Sequence, residues 1–132
     1  MGLIILDSSV LIALLDSKDR HYKSCTSAFK VSKLESENRF GISTVTVAES
    51  LIDSFVTSYD YALSIFARIC EFVNTVIAFD IKIAFRSAQI RALAGVSLAD
   101  AMIISTAENF DAELWTCDKK IIKKYRKVKY LG

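Results

Sequence analysis

Short apolar segments alternate with amphipathic segments along the whole 132-residue chain, and this alternation restricts the possible folds more than any other feature. Residues 3–6 and 113–116 are short, apolar and bounded by polar residues, as buried strands are. Residues 47–56 and 61–73 instead place their apolar side chains at helical spacing. Strands that alternate with helices indicate a largely parallel sheet with helices on both faces. We therefore predict an α/β fold with a central, mainly parallel sheet.

The ends of the elements must be read from polar clusters and changes of period, because the chain has no proline and only four glycines. The predicted strands are residues 3–6, 40–43, 75–79, 113–116 and 128–131. The predicted helices are residues 8–15, 20–37, 46–56, 61–73, 81–92 and 98–109, with a short basic helix after Asp118. Gly95 is expected to end the helix that precedes it. No linker or repeat is visible, so residues 1–132 are predicted to form a single domain.

Composition excludes several classes of protein. The longest apolar stretch, residues 3–15, is interrupted by Asp7, Ser8 and Ser9, so no segment is expected to cross a membrane. No signal peptide is expected either, which favours a cytoplasmic location. The three cysteines have no close pair along the chain and there is one histidine, so neither a disulfide framework nor a zinc site is indicated. A bound metal would have to be a hard cation with oxygen ligands.

Four acidic residues from distant parts of the chain are predicted to meet at one edge of the sheet. Asp7 follows the first strand and Asp118 follows the strand at residues 113–116. Glu49 and Asp100 fall in the first turns of helices that are expected to begin near Thr46 and Ser97. Ligands of open α/β sheets bind beyond the carboxyl ends of the strands. These four carboxylates are therefore the candidate functional groups.

Each of these acids also has a purely structural explanation. The segments 46–49 and 97–100 both match the capping-box pattern, in which a hydroxyl residue is followed three positions later by an acid. Asp7 and Asp118 are well placed as N-caps of the helices predicted after them. A cap stabilises a helix by about 1 kcal/mol and requires no further function. Taken singly, each acid fits a cap as well as a ligand.

The joint pattern favours a metal site. Several carboxylates close together at a partly buried edge repel one another unless a cation or protons intervene. No basic residue is next to Asp7, Glu49 or Asp100 in the sequence, so a divalent ion is the simplest compensating charge, and oxygen ligands favour Mg²⁺ or Mn²⁺. Such ions activate water for attack on phosphorus. With a single histidine, Ser-His-Asp and Cys-His mechanisms are not supported.

In chain order, the segments 6–15, 42–51, 97–104 and 114–118 resemble the PIN-domain family, and most closely its compact VapC-type toxin ribonucleases. The resemblance spans essentially the whole chain. It implies a three-layer α/β/α sandwich, a Mg²⁺- or Mn²⁺-dependent ribonuclease activity, frequent dimerisation and an antitoxin partner. It also implies that Asp7, Glu49, Asp100 and Asp118 bind the metal. Ser9 matches a small polar residue that supports the first acid, and Thr116 matches a polar position before the last acid. No further acid follows Asp118, where some members of the family have one.

The segment at residues 119–129 is strongly basic, with seven lysines or arginines. One interpretation is an ordinary solvated surface. The other is a phosphate-binding patch beside Asp118, in which Lys119 and Lys120 contact RNA and offset the repulsion between the carboxylates and a polyanion.

Three functional hypotheses follow. The first is an endoribonuclease that uses Mg²⁺ or Mn²⁺ to hydrolyse RNA phosphodiesters, as the toxin of a toxin–antitoxin pair. The second is a non-catalytic α/β module that binds RNA or protein and uses the acids as helix caps. The third, a phosphotransfer domain, fares poorly because Asp7 lacks a second acid two residues further on.

Overall fold

Five parallel strands form the middle layer of the computed structural model, which describes residues 2–35 and 37–132. The strands are β1 (Gly2–Leu6), β2 (Asn38–Ser43), β3 (Thr75–Ile77), β4 (Glu113–Thr116) and β5 (Val128–Tyr130). The helices are α1 (Ser8–Leu15), α2 (Tyr22–Lys33), α3 (Thr44–Thr57), α4 (Tyr59–Phe72), α5 (Ile81–Ala94) and α6 (Leu98–Asn109). The strand order is β3-β2-β1-β4-β5, and every pairing is parallel.

The two faces of the sheet bury separate apolar clusters. Ile4 and Leu6 of β1 belong to a cluster that includes Phe29 of α2. The side chain between them, Ile5, belongs to a second cluster with Ile103 of α6. Successive residues of a strand point to opposite faces, so this division shows that helices cover both sides of the sheet. The predicted three-layer α/β/α arrangement is therefore confirmed.

Several predicted elements match the structure at both ends, namely the helices at residues 8–15 and 98–109 and the strand at residues 113–116. Gly95 ends α5 with a φ of 70°, the left-handed conformation that glycine adopts readily. The predicted helix 20–37 is shorter, since α2 covers Tyr22–Lys33, and residue 36 lies outside the described residues. The third strand is also shorter than predicted and ends at Ile77.

Two predictions about helices are wrong. Helix α3 begins at Thr44, because Ser43 is its N-cap and the Ser43 hydroxyl accepts the Val45 amide at 3.1 Å. Glu49 consequently lies in the second turn of α3. The segment after Asp118 forms turns instead of a helix, and its backbone bonds, such as Lys124 to Ile121, join residues three apart.

Within the part of the chain that the structure describes, no helix has both the length and the apolar character of a membrane span.

Candidate acidic active site

The chain changes direction across the sheet at β1, and the candidate acids gather at this point. Strand β1 pairs with β2 on one side and with β4 on the other. A crevice beyond the carboxyl ends of the strands forms where successive connections diverge in this way. Asp7 follows β1 directly, Asp118 follows β4, and Glu49 is carried by α3, which leaves β2. Asp100 lies in the first turn of α6.

Asp7 is the most constrained of the four acids. Only 4% of its surface is exposed. Its Oδ1 accepts the Ser8 amide at 2.8 Å, which caps α1 as the sequence predicts. Its Oδ2 accepts the Ser9 hydroxyl at 2.9 Å and the Thr116 hydroxyl at 2.8 Å. Buried carboxylates need such donors, because removal from water is costly for a charged group.

The two hydroxyls that contact Asp7 also connect β1 to the end of β4. The Ser9 hydroxyl accepts the Cys117 amide at 3.0 Å. The Thr116 hydroxyl accepts the Asp118 amide at 2.9 Å. Each hydroxyl therefore donates to Asp7 and accepts from the segment that carries Asp118. This network sets the position of Asp118 relative to Asp7.

The pKa values of three acids are raised, and the causes show that the acids lie near one another. Burial raises the pKa of Asp7, and the charge of Asp100 adds to this effect, while hydrogen bonds from Thr116 and Ser9 oppose it. Burial is also the main cause that raises the pKa of Glu49, followed by the charge of Asp7. The carboxylates repel one another across the crevice.

The pKa of Asp100 is raised in the same way. Burial contributes most, a hydrogen bond from Ser97 opposes it, and the charge of Asp118 raises the pKa further. Lys120 lowers the pKa of Asp100, so its ammonium group lies near the acids. The structure thus brings Asp7, Glu49, Asp100 and Asp118 into one electrostatically coupled group.

The chemistry of this group fits a hard divalent cation. Oε1 of Glu49 is buried and has no hydrogen-bond partner, which leaves a carboxylate oxygen without its usual compensation. A cation would satisfy this oxygen and relieve the repulsion between the acids. Within residues 2–35 and 37–132, no three acidic, histidine or cysteine side chains form a ready-made ligand cluster. The acids are thus neighbours whose side chains would have to close around the ion.

The capping explanation holds for some of these acids only. Asp7 is the N-cap of α1, and Ser97 caps α6 by accepting the Asp100 amide at 3.1 Å. The capping box predicted at Thr46 is wrong, since Ser43 caps α3 and the fully buried Thr46 hydroxyl has no hydrogen-bond partner. Glu49 therefore has no capping role to explain its position.

No pattern in the sequence predicts one buried contact beside the site. Cys25 of α2 and Cys117, which lies next to Asp118, are both buried, and their sulfur atoms are 3.4 Å apart. The two residues are separated by 92 positions in the chain, so spacing along the sequence could not reveal the pair. The contact fixes the start of α2 against the β4 end of the crevice.

Comparison with protein families gives a match to the PIN domain over residues 4–127. A comparison with curated proteins gives no match.

Solved structures with the same fold include three bacterial proteins. A toxin–antitoxin complex from Klebsiella pneumoniae has a chain that is 24% identical with a TM-score of 0.75, and the match covers 98% of both chains. DNA-bound VapBC from Salmonella typhimurium has a chain that is 23% identical with a TM-score of 0.73, over 100% of both chains. VapC20 from Mycobacterium tuberculosis, described as a sarcin–ricin loop cleaving toxin, is 13% identical with a TM-score of 0.70, over 96% of this chain and 98% of that chain.

Proposed function

This chain belongs to the PIN-domain family, and on that premise we propose that it is a Mg²⁺- or Mn²⁺-dependent endoribonuclease, the cytoplasmic toxin of a toxin–antitoxin pair. The observation that carries the proposal is the coupled group of Asp7, Glu49, Asp100 and Asp118 at the carboxyl edge of the sheet. The sarcin–ricin loop cleaving toxin among the solved structures supports RNA as the substrate.

Asp7, Asp100 and Asp118 are the acids that would hold the metal, and Glu49 would complete the site directly or through water. A bound divalent cation lowers the pKa of water and stabilises charge on the phosphate oxygens. Glu49 Oε1, which has no hydrogen-bond partner, is the oxygen that would face the cation, directly or through a water. Ser9 and Thr116 keep the Asp7 carboxylate in place.

Water, and not the 2′-hydroxyl of the RNA, is the nucleophile in this proposal. The products should therefore carry 5′-phosphate and 3′-hydroxyl ends. Lys120, which lies close enough to Asp100 to lower its pKa, is suited to contact the phosphate that approaches the acids. The remaining basic residues of the segment 119–129 reduce the repulsion between the acids and the RNA backbone.

The test is cleavage of total RNA by the purified protein in the presence of Mn²⁺. Asp100→Asn should abolish cleavage while the circular dichroism spectrum is unchanged. EDTA should abolish cleavage by the unsubstituted protein. Asp53→Asn is the matched control, because Asp53 is an exposed acid on the same helix as Glu49. Activity that persists in both Asp7→Asn and Asp100→Asn would remove these carboxylates from the mechanism and favour a non-catalytic binding module.

Partner binding is part of the same proposal. Among the solved structures are toxin–antitoxin complexes, which supports an antitoxin partner for this chain. The helices expose large apolar side chains that could contact a partner, including Val56 and Tyr59 near the α3–α4 junction and Phe85 on α5. Such surfaces are typical of protein–protein contacts, and we propose that they serve an antitoxin and a homodimer.

A further inference from the structure

An open cleft of about 610 Å³ adjoins the acidic site on one side. Its walls are the loop between α1 and α2 and the segment that follows β4. The cleft shares Ser9 and Asp118 with the acidic site, and Ser9 donates to Asp7. A strand of RNA that placed one phosphate at the acids would therefore continue into this cleft. Its volume is within the range of small-ligand sites and can hold a nucleotide.

Two cationic side chains line the cleft, together with the acids Asp19 and Asp118. Arg20 lies on the wall formed by the α1–α2 loop, and Lys119 lies on the wall formed by the segment after β4. Neither has a carboxylate partner within the described residues, in contrast to Arg86, which pairs with Glu108 at 2.7 Å. Unpaired cations next to an acidic site are available for an anionic ligand.

Contacts within the α1–α2 loop orient the side chain of Arg20. Asp19, the acid nearest in sequence to Arg20, accepts the His21 amide at 2.8 Å. Arg20 donates its Nε to Nε2 of His21 at 3.1 Å. This contact orients the guanidinium group and leaves its two terminal nitrogens without a partner within the described part of the chain. A guanidinium group with its terminal nitrogens available suits a phosphate, which it can bind through two hydrogen bonds.

The adjacent lysines Lys119 and Lys120 lie at different sites. Lys120 lies near Asp100 and therefore belongs to the acidic site. Lys119 lines the cleft with Arg20 and His21. These two lysines thus provide one positive charge at the acidic site and one in the cleft.

We propose that this cleft is a phosphate subsite for a nucleotide next to the cleaved bond, with Arg20 and Lys119 as the binding residues. The inference rests on the proposed ribonuclease function and adds a second binding position to it. A single-stranded RNA is the ligand with regularly spaced phosphates that would span the acids and the cleft together.

The experiment measures binding of a fluorescein-labelled single-stranded RNA to full-length protein at several KCl concentrations. All variants are made in an Asp100→Asn background, so that the RNA is not cut. Each phosphate contact contributes about 0.7 to the slope of log K against log salt for single strands. Arg20→Gln should therefore lower the magnitude of the slope by about 0.7 and weaken binding at low salt. Lys119→Gln should have a similar effect.

The matched controls are Arg39→Gln and Lys30→Gln. Arg39 lies in the amino-terminal part of β2 and Lys30 lies near the end of α2, both away from the carboxyl edge of the sheet. These variants should keep the slope of the background protein. If the Arg20→Gln and Lys119→Gln variants bind RNA with the same salt slope as the background protein, the proposed phosphate subsite is wrong and the ribonuclease proposal stands. If the Asp100→Asn protein binds no RNA at any salt and the unsubstituted protein cuts none, both proposals fail together.

Discussion

Oδ2 of Asp7 receives hydrogen bonds from two hydroxyls that lie on different elements, Ser9 on α1 and Thr116 on β4. Each hydroxyl also accepts a backbone amide, so neither can turn away from Asp7 without breaking a second bond. The family resemblance assigned supporting positions to both residues. The structure adds the physical reason, which is that a carboxylate with only 4% of its surface exposed requires donors from both sides.

Thr116→Val provides a test at the residue scale. The valine has a similar volume but leaves the Asp118 amide without its acceptor and takes one donor from Asp7. We expect unfolding in urea, without metal, to show a loss of roughly 1–3 kcal/mol. RNA cleavage should fall as well, and Thr116→Ser should restore both properties because it keeps the hydroxyl.

Thr106→Val is the matched control for that substitution. Thr106 is also fully buried, but its hydroxyl donates only to the Met102 carbonyl within α6 at 2.7 Å. Its loss should cost less than about 0.5 kcal/mol, because the helix already satisfies that carbonyl. Equal losses for the two valine variants would show that the Thr116 hydroxyl has no special role in holding Asp7.

At the scale of elements, sequence patterns located the strands and helices better than their ends. The segment of α6, which is apolar on most sides, and the compact run of β4 were sufficient to predict both elements completely. The start of α3 was missed because Ser43 and Thr46 both match the pattern of a cap, and only the structure shows which hydroxyl accepts an amide. Ser43 is the last residue of β2 and caps α3, and Thr46 is buried one turn further on.

Contacts between distant elements are less accessible to sequence reasoning, and the cysteines illustrate this. Cys25 and Cys117 meet only because α2 packs beside the end of β4. We expect one of the three thiols of the native, reduced protein to react rapidly with DTNB, since Cys70 is exposed and the other two are buried. All three should react at once in guanidinium chloride.

Cys70→Ser is the control for this thiol count, and it should leave no rapidly reacting group in the native protein. Two or three fast thiols in the native state would mean that α2 does not shield Cys25 and Cys117 as the structure shows.

Over the whole molecule, the alternation of strands and helices was sufficient to predict a parallel sheet and the edge at which the acids meet. It could not predict the strand order, because the pairing of β1 with both β2 and β4 is decided by long-range packing. That order places Asp7 in the middle of the edge, between the elements that carry Glu49 and Asp118. The cleft lined by Arg20 was missed for the same reason, since a loop residue shows no periodic pattern.

Because of the coupled acids, the stability of the whole protein should depend on pH, and the stabilisation by divalent cations should depend on pH as well. The pKa values of Asp7, Glu49 and Asp100 are raised in the folded state above 3.8, 4.5 and 3.8. The folded state therefore binds these protons more tightly than the unfolded chain does. The free energy of unfolding without metal should fall as the pH rises from these values through the raised pKa values.

Divalent cations should reverse this loss, because they bind the deprotonated acids. We expect the increase in melting temperature on addition of Mn²⁺ to be small near about pH 5 and larger near about pH 8. At a hundredfold excess over the dissociation constant the stabilisation is about 2.7 kcal/mol, or roughly 10 °C.

Glu49→Gln should raise the melting temperature of the metal-free protein at neutral pH, since it removes one of the repelling charges, and should reduce the response to Mn²⁺. Asp53→Asn should change neither property. If Mn²⁺ does not change the melting temperature at any pH, the four carboxylates do not form a metal site, although they lie close together.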